Sequence, residues 1–458
     1  MGQEIKMIKS LLKKLTGFFI NGHERTLLAK KNIVISLAVK GLTIVIGLVL
    51  VPITISYINP TQYGIWLTLS SLISWFIFLD IGLANGLKNK LAEANALEKT
   101  ESSRIYISTT YAILTIVSLA LFILFCLSNF LLDWGKILNT QTSGNNLNLI
   151  ALIILGSFCV QFILQTFSSV LTAFHAISKI SVIYGIGQLG CLIGVLLLKK
   201  FTGGSLLYLV LVFTGIPIIV QFTATIWYFK TKYALFAPSF KMIDFTHAKD
   251  LLTTGGMFFF VQIGSLLLFQ TDNMVVTQLF GPSQVTTFNL VYRLFSVITM
   301  VFTIIMNPFW PAFTDAYAKD DILWIKSIFK KMYKYFILLI LISFMLLFAS
   351  PLIFKLWVGD KIKIPFELSF VMVLYVIGMS WMTIHCFLVN GIGKIKLQMY
   401  LYIISTIINI PLAILLGKWI GISGVTISNV VVFIMMGVVL YIQCNKILNK
   451  SASGIWNA

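Results

Sequence analysis

Polar residues along this chain come in short bunches, and the apolar stretches between them are long. Residues 32–58 read NIVISLAVKGLTIVIGLVLVPITISYI. That exceeds the roughly 20 apolar residues that cross a bilayer as a helix. Eleven more such stretches follow. The first six are 32–58, 64–86, 105–132, 148–173, 181–198 and 205–229, and the second six are 250–278, 284–311, 333–355, 367–390, 397–416 and 422–443. Ahead of them, residues 1–31 place Ile5, Ile8, Leu11, Leu12, Leu15, Phe18 and Phe19 at helical spacing with lysines between, the pattern of an amphipathic helix lying in a membrane interface. The pattern predicts an all-α polytopic membrane protein with 12 transmembrane helices. Its parts are an interfacial segment 1–31, a six-helix lobe 32–229, a polar linker 230–249, a second six-helix lobe 250–443 and a tail 444–458. Unbroken apolar runs, rather than alternating ten-residue segments, exclude a β-barrel.

Composition agrees: 58% of the 458 residues are hydrophobic, 11% are charged, and the mean hydropathy is +0.95. The net charge of +19 would suggest nucleic acid in a soluble protein, but the cations sit mostly in loops on one side. The exceptions among the 34 Lys and Arg are Lys136, Lys199, Lys200, Lys355, Lys361, Lys363 and Lys418 in the opposite loops, and Lys40 and Arg293 inside spans. The asymmetry predicts both termini in the cytoplasm, and no nucleic-acid partner is expected. No loop on the opposite side exceeds about 15 residues, so no catalytic domain is expected there. The five cysteines form no C-x-x-C, so neither a metal site nor a disulfide framework is indicated. The N-terminus lacks the pattern of a cleavable signal.

The two halves share local sequence. Tyr57-Ile-Asn-Pro-Thr-Gln62 matches Leu279-Phe-Gly-Pro-Ser-Gln284 at an offset of 222, in the first loop of each set. Ala173-Phe-His-Ala-Ile-Ser-Lys-Ile180 matches Leu388-Val-Asn-Gly-Ile-Gly-Lys-Ile395 at an offset of 215, after the fourth span of each set. Both halves start on the same side, so the repeats are parallel, an arrangement typical of transporters with a substrate site between the repeats.

Charges inside spans are costly and mark functional candidates. Lys40 lies about 8 residues, roughly 12 Å, from the cytoplasmic start of its span, and Asp80 about 6 residues, roughly 9 Å, from the cytoplasmic end of the next. Asp272 and Arg293 lie roughly 10–14 Å from the opposite ends of spans seven and eight. Depth alone allows the pairs Lys40–Asp80 and Asp272–Arg293. These are either structural ion pairs or cations that exchange a carboxylate for a substrate phosphate. Arg293 is the better phosphate ligand, because a guanidinium stays charged and binds bidentately. Gln262, Gln270 and Asn273 make span seven polar and suggest a cavity lining. At the 222-residue offset Lys40 falls on Gln262 and Pro52 on Met274, so the first cation and its proline belong to one half alone. His385 reads as a neutral histidine bonded to a neighbouring helix, with a proton relay as the alternative. Trp66, Trp75, Trp310, Trp357 and Trp419 fall near span ends and read as an interfacial belt. No G-x-x-x-x-G-K-[ST] or H-E-x-x-H is present, and no catalytic residues, metal or cofactor are indicated. Coupling would be to a H+ or Na+ gradient, with Asp80, Asp272 or His385 as ion-coupling or gate residues, or transport would be driven by removal of the substrate.

The residues Tyr57-x-x-Pro60-x-x-Tyr63-Gly64-Ile65-Trp66, Leu79-Asp-Ile-Gly-Leu-Ala-Asn-Gly-Leu87, Thr271-Asp-Asn273, Leu279-Phe-Gly-Pro282, Tyr292-Arg293, Pro311, Gly391-Ile-Gly-Lys394 and Gly421-Ile-Ser-Gly-Val425 carry a resemblance. It is to the O-antigen and polysaccharide flippase branch of the multidrug/oligosaccharidyl-lipid/polysaccharide exporter superfamily. The resemblance implies two six-helix lobes around a central cavity in the bacterial inner membrane. It implies flipping of an undecaprenyl-pyrophosphate-linked oligosaccharide by alternating access, with a glycan polymerase and a chain-length regulator as partners beside the membrane lipids. It implies cations on the first and eighth spans holding the pyrophosphate, here Lys40 and Arg293. Some relatives place several arginines in the cavity, whereas this chain has one Lys and one Arg deep in spans. A cation-coupled multidrug exporter of the same fold is the alternative. A membrane glycan polymerase or ligase would want a large outer loop, which the chain lacks.

Overall fold

A computed structural model describes residues 24–74, 76, 83–96, 99–140, 144–174, 176–247, 271–306, 309, 313, 316–317, 319–359 and 362–457. Among them the chain is helical and contains no strand. The first half comprises α1 (Glu24–Tyr57), α2 (Pro60–Ser74), α3 (Leu83–Ala96), α4 (Thr100–Asn129), a short turn of helix Trp134–Ile137, α5 (Gly144–Ala173), α6 (Ile177–Phe201) and α7 (Leu206–Lys230). The second comprises α8 (271–280), α9 (Pro282–Met306), α10 (Ile322–Val358), α11 (Phe366–Ile392), α12 (Lys396–Ile420) and α13 (Ile422–Leu448). Among the described residues ten helices are long and apolar enough to cross a membrane. The second span is described in two pieces, α2 and α3. The seventh falls largely on 250–270, outside the described residues, with α8 as its end. The protein is a polytopic α-helical membrane protein of two lobes, and the described helices fit the expected arrangement of 12 spans.

Two boundaries differ from the sequence expectation. Residues 24–31 continue into α1 without a break, because nothing helix-breaking separates them from the apolar run. The remainder of the expected interfacial segment lies outside the described residues. The last span runs on to Leu448. The stretch 231–247 is a docked strap rather than a free linker. The Arg104 Nε donates to the Ala237 carbonyl at 2.8 Å, and the Thr109 hydroxyl accepts from the Asp244 N–H at 3.0 Å. Tyr233 is buried against Phe167 and Phe174. The strap is polar by composition, yet its aromatics alternate with groups that satisfy its backbone.

The termini of the described chain and the strap mark one end of the bundle, termed proximal; the turn between α1 and α2 marks the other, termed distal. Apolar burial is divided between the halves. One core runs from Val275 to Leu448, a second around Leu69 also takes in Leu290 and Val358 of the second half, and a third around Phe167 lies in the first half. Tight turns set the helix order. Gly421 adopts φ +79 between α12 and α13, and a Cβ on Gly424 would overlap the Leu416 carbonyl. Only glycine permits both the dihedral and the approach. The two matched turns after the fourth spans fall at the same place in the helix order: α5 gives way to α6 after Ala173, and α11 to α12 after Ile392, where Gly393 caps α11 with φ +75.

The halves meet at the distal end, chiefly where α2 packs on α9. Both helices start from the repeated Pro-x-Gln turn. The Thr286 hydroxyl donates to the Pro60 carbonyl at 2.6 Å. At the repeat-related contact Gly64 takes the place of Thr286 and Pro282 that of Pro60. There the backbones come so close that a Cβ on Gly64 would overlap the Pro282 carbonyl. The two contacts are the two halves of one isologous seam, as expected about a two-fold axis. Below it the Thr68 and Thr277 hydroxyls bond each other at 2.7 Å. Above it the Gln278 amide donates to the carbonyls of Lys136 and Ile137, and Asn139 to those of Thr277 and Gln278.

In an otherwise unaltered chain, cysteines replacing Thr68 and Thr277 should form a disulfide across the seam. Gly64→Ala should cut the yield several-fold by pushing α9 away. An unchanged yield would show that the seam does not hold the halves together.

Candidate functional site

Pro52 shapes the first helix from inside. It has no N–H to give the Leu48 carbonyl four residues earlier. That carbonyl instead accepts the indole N–H of Trp357, at the distal end of α10 in the other half, at 2.6 Å. One residue away, the Gly47 carbonyl accepts from the Arg293 Nη1 at 3.1 Å. In a membrane a freed backbone carbonyl must find a donor, and here both donors cross between the lobes. Trp357 is therefore a cross-lobe tether and not the interfacial belt residue its position near a span end suggested. The belt reading suits Trp419, which is exposed near the distal end of α12. Trp75 and Trp310 lie outside the described residues.

Arg293 lies in an inter-lobe cleft of about 150 Å³, walled by Val51 and Tyr63 of the first half and by Asn289, Tyr292 and Ser296 of α9. Arg293 is 11 residues from the distal start of α9, about 16 Å along the axis. That places the cleft near mid-membrane depth. Lys40, Gly47 and Val51 are spaced 7 and 4 residues apart. At 100° per residue they form one stripe of α1, facing α9. Lys40 is exposed and sits about 10 Å from Gly47 toward the proximal end. Among the described residues no carboxylate pairs with Lys40 or Arg293. Asn273 joins the cleft at one remove: its side-chain oxygen accepts from Asn289 at 2.7 Å, and Asn289 lines the cleft.

Asp272 does not pair with Arg293. It is 4% exposed and turns into the second lobe, where its Oδ2 accepts from the Asn429 amide at 2.8 Å. Asn429 in turn accepts from Asn409 at 3.2 Å. The Oδ1 atoms of Asp272 and Asn409 are buried without a partner. Matched depth on adjacent helices suggested the Asp272–Arg293 pair, but depth leaves azimuth open. Asp272 looks toward α13, while Arg293, on the far side of α9, looks toward α1. Asp80, Gln262 and Gln270 lie outside the described residues, and with them the proposed Lys40–Asp80 pair.

His385 is buried in α11, away from the cleft. Its Nδ1 lies 2.8 Å from the Trp381 carbonyl, which can only accept, so Nδ1 carries the proton. Nε2 then accepts from the Tyr333 hydroxyl at 2.9 Å. Phe329, Trp381 and Tyr441 surround the ring. This is a neutral histidine joining α10 to α11. Sequence reasoning passed over Asn289, Asn409 and Asn429 and read Trp357 as a belt residue. The signal for Trp357 was Pro52, which announces a carbonyl in need of a donor. For Asn409 and Asn429 it was an uncharged amide in the middle of a span.

A family model described as "Polysaccharide biosynthesis protein" matches residues 29–317, more than half of the chain. The chain belongs to the polysaccharide biosynthesis protein family. A second family model, MatE, matches residues 258–415 of this family member. A Yersinia pseudotuberculosis protein whose name assigns it to O-antigen export is 24% identical over 362 residues, 76% of this chain and 79% of that protein. A Salmonella typhimurium protein named for O-antigen transport is 22% identical over 397 residues, 83% of this chain and 87% of that one. Among solved structures, an inward-facing multidrug resistance MATE family transporter of the MOP superfamily superposes with a TM-score of 0.74 at 13% identity, covering 92% of this chain and all of that one. An outward-facing structure of a MATE family transporter superposes at 0.61 and 15% identity, covering 92% and 96%. These likenesses establish the fold of this polysaccharide biosynthesis family member.

Asn429→Leu should leave both oxygens of the buried Asp272 carboxyl without a partner. It should cost about 1–3 kcal/mol, read as a lowered thermal midpoint of the purified protein. Asp272→Leu combined with Asn429→Leu should recover most of that loss.

Proposed function

We propose that this protein moves an oligosaccharide linked to a polyprenyl pyrophosphate across the bacterial inner membrane by alternating access, and that it is a transporter rather than an enzyme. The observation that carries this reading is Arg293 in the inter-lobe cleft, bonded across the lobes to the Gly47 carbonyl, with Lys40 exposed on the same stripe of α1 as the cleft residue Val51 and no carboxylate among the described residues paired with either cation. A cation in a span costs roughly 2.5–3.5 kcal/mol on insertion scales. A pyrophosphate entering the cleft supplies the missing charge, and the Arg293 fork suits it. Between described residues, cross-lobe hydrogen bonds run from the distal surface down to Arg293–Gly47. Arg293 thus stands at the apex of a cleft closed distally, with Lys40 two turns nearer the proximal mouth. The better superposition on an inward-facing transporter fits a proximal end facing the cytoplasm, with both termini there and the distal end facing out. Export-named relatives support the sugar-lipid cargo, which would be handed to a glycan polymerase and its chain-length regulator.

Asp272 is the residue we assign to ion coupling. Its partnerless Oδ1 and that of Asn409 are hard oxygen acceptors suited to a proton or Na+, and they sit in the lobe that must move against α1. The alternative, a cation-coupled multidrug exporter, draws on the same buried carboxyl and on the MATE likeness, but leaves Lys40 and Arg293 unexplained.

Arg293→Ala should abolish surface glycan in a complemented deletion strain while the protein remains in the membrane at normal level. Arg293→Lys should restore only part of it. Wild-type glycan from Arg293→Ala would overturn the reading. A deletion strain sensitised to cationic drugs, with its glycan intact, would establish the exporter instead.

A further inference from the structure

Two of the few lysines away from the proximal end stand on one cleft. It has a volume of about 350 Å³ and lies between the distal end of α10 and the start of α11. Lys355 and Lys363 line it, together with Ser350, Pro351, Gly359 and Ser369. Pro351 interrupts the helix beside it: the Leu347 carbonyl loses its backbone donor and is met by the Ser350 hydroxyl at 2.8 Å. Gly359 then turns the chain with φ +69 and ψ −162, a conformation reserved for glycine, and brings Lys363 back over the cleft. Ser369, 1% exposed, lines the cleft with its hydroxyl-bearing side chain beside the two ammonium groups. Among the described residues no carboxylate lines the cleft, and Glu367, on the first turn of α11, is exposed.

Beside the cleft runs an apolar strip. Phe348, Leu352 and Leu356 are 74%, 63% and 79% exposed and share one face of α10. Lys355 stands next to that face, seven residues from Phe348, and Pro351 flanks it one turn earlier. A row of exposed apolar side chains on a membrane-spanning helix faces acyl chains, so the cleft opens at the level where a headgroup sits above them.

We propose that this cleft binds the phosphate of an anionic lipid in the distal leaflet, with the acyl chains along Phe348, Leu352 and Leu356. Lys355 and Lys363 neutralise the phosphate and Ser369 donates a hydrogen bond to it. The headgroup fills the space beside the Pro351 break and ties α10 to α11. Trp357, the tether to α1, sits on the same turn of α10 as Lys355. An occupied cleft therefore steadies the turn that closes the distal end.

The full chain purified in mixed detergent and lipid tests this without any transport assay, so its outcome is independent of the proposed cargo. Native mass spectrometry would measure retained phosphatidylglycerol against phosphatidylcholine. The wild type should prefer phosphatidylglycerol, and Lys355→Gln with Lys363→Gln should lower that preference about tenfold. Lys418→Gln, another distal lysine, should leave it unchanged, and so should millimolar inorganic phosphate. Phosphatidylglycerol retained equally by the double variant would overturn the proposal. Displacement by inorganic phosphate would reassign the cleft to a soluble anion. A Thr68→Cys, Thr277→Cys cross-link formed in the double variant as in the unaltered background would confirm that the lysine changes leave the fold intact.

Discussion

Two helices that begin with the same Pro-x-Gln turn hold the lobes of this protein together, and they meet backbone to backbone. On one side of the seam Thr286 spends its hydroxyl on the Pro60 carbonyl. On the other, Gly64 has no side chain at all, and the Pro282 carbonyl fills the space. Everything else between the lobes depends on that approach. Thr68 reaches Thr277 because α2 and α9 are already that close, and Gln278 and Asn139 exchange amide bonds over the top. Van der Waals contact and backbone approach, rather than hydrophobic exclusion, are what bring helices together where lipid is the solvent.

The second constraint is the demand that every backbone polar group in a membrane be paired. Three prolines show three outcomes. Pro351 frees the Leu347 carbonyl, and Ser350 in the same helix takes it up. Pro52 frees the Leu48 carbonyl, and Trp357 of the opposite lobe takes it up. Pro217 stands inside α7, where its backbone packs close to Gly187 of α6. The first outcome builds a cleft and the second builds a tether. A tether made from a proline-freed carbonyl is reversible: when the lobes part, Leu48 can turn to water entering the cleft, which a ladder bond inside a helix cannot do without unwinding.

The polar groups of the site divide by direction rather than by depth. Arg293 faces the α1 stripe that holds Gly47 and Val51, and it lines the cleft between the lobes. Asp272, one residue from the cleft-linked Asn273, faces away into a buried chain of amides. Adjacent residues on a helix point about 100° apart, so one helix end serves both the cleft and the interior of its lobe.

The hydropathy pattern was enough to show a polytopic helical membrane protein in two parallel halves, because span length and apolar run are set by bilayer thickness and need no tertiary information. The repeat was legible for a similar reason: the Pro-x-Gln and Gly-x-Gly-Lys turns are local. Rare charges within spans were legible too, since each is costly wherever it faces. Azimuth could not be read. Asp272 and Arg293 match in depth, yet they look in different directions. Trp357 sits where an interfacial tryptophan would, yet it bonds across the lobes. Nor could sequence announce that Gly64 lies against Pro282, since a glycine in an apolar helix looks alike whether it faces lipid, a neighbour or nothing. Helix rotation and lobe placement are fixed by contacts between residues hundreds of positions apart, and only the tertiary structure supplies those.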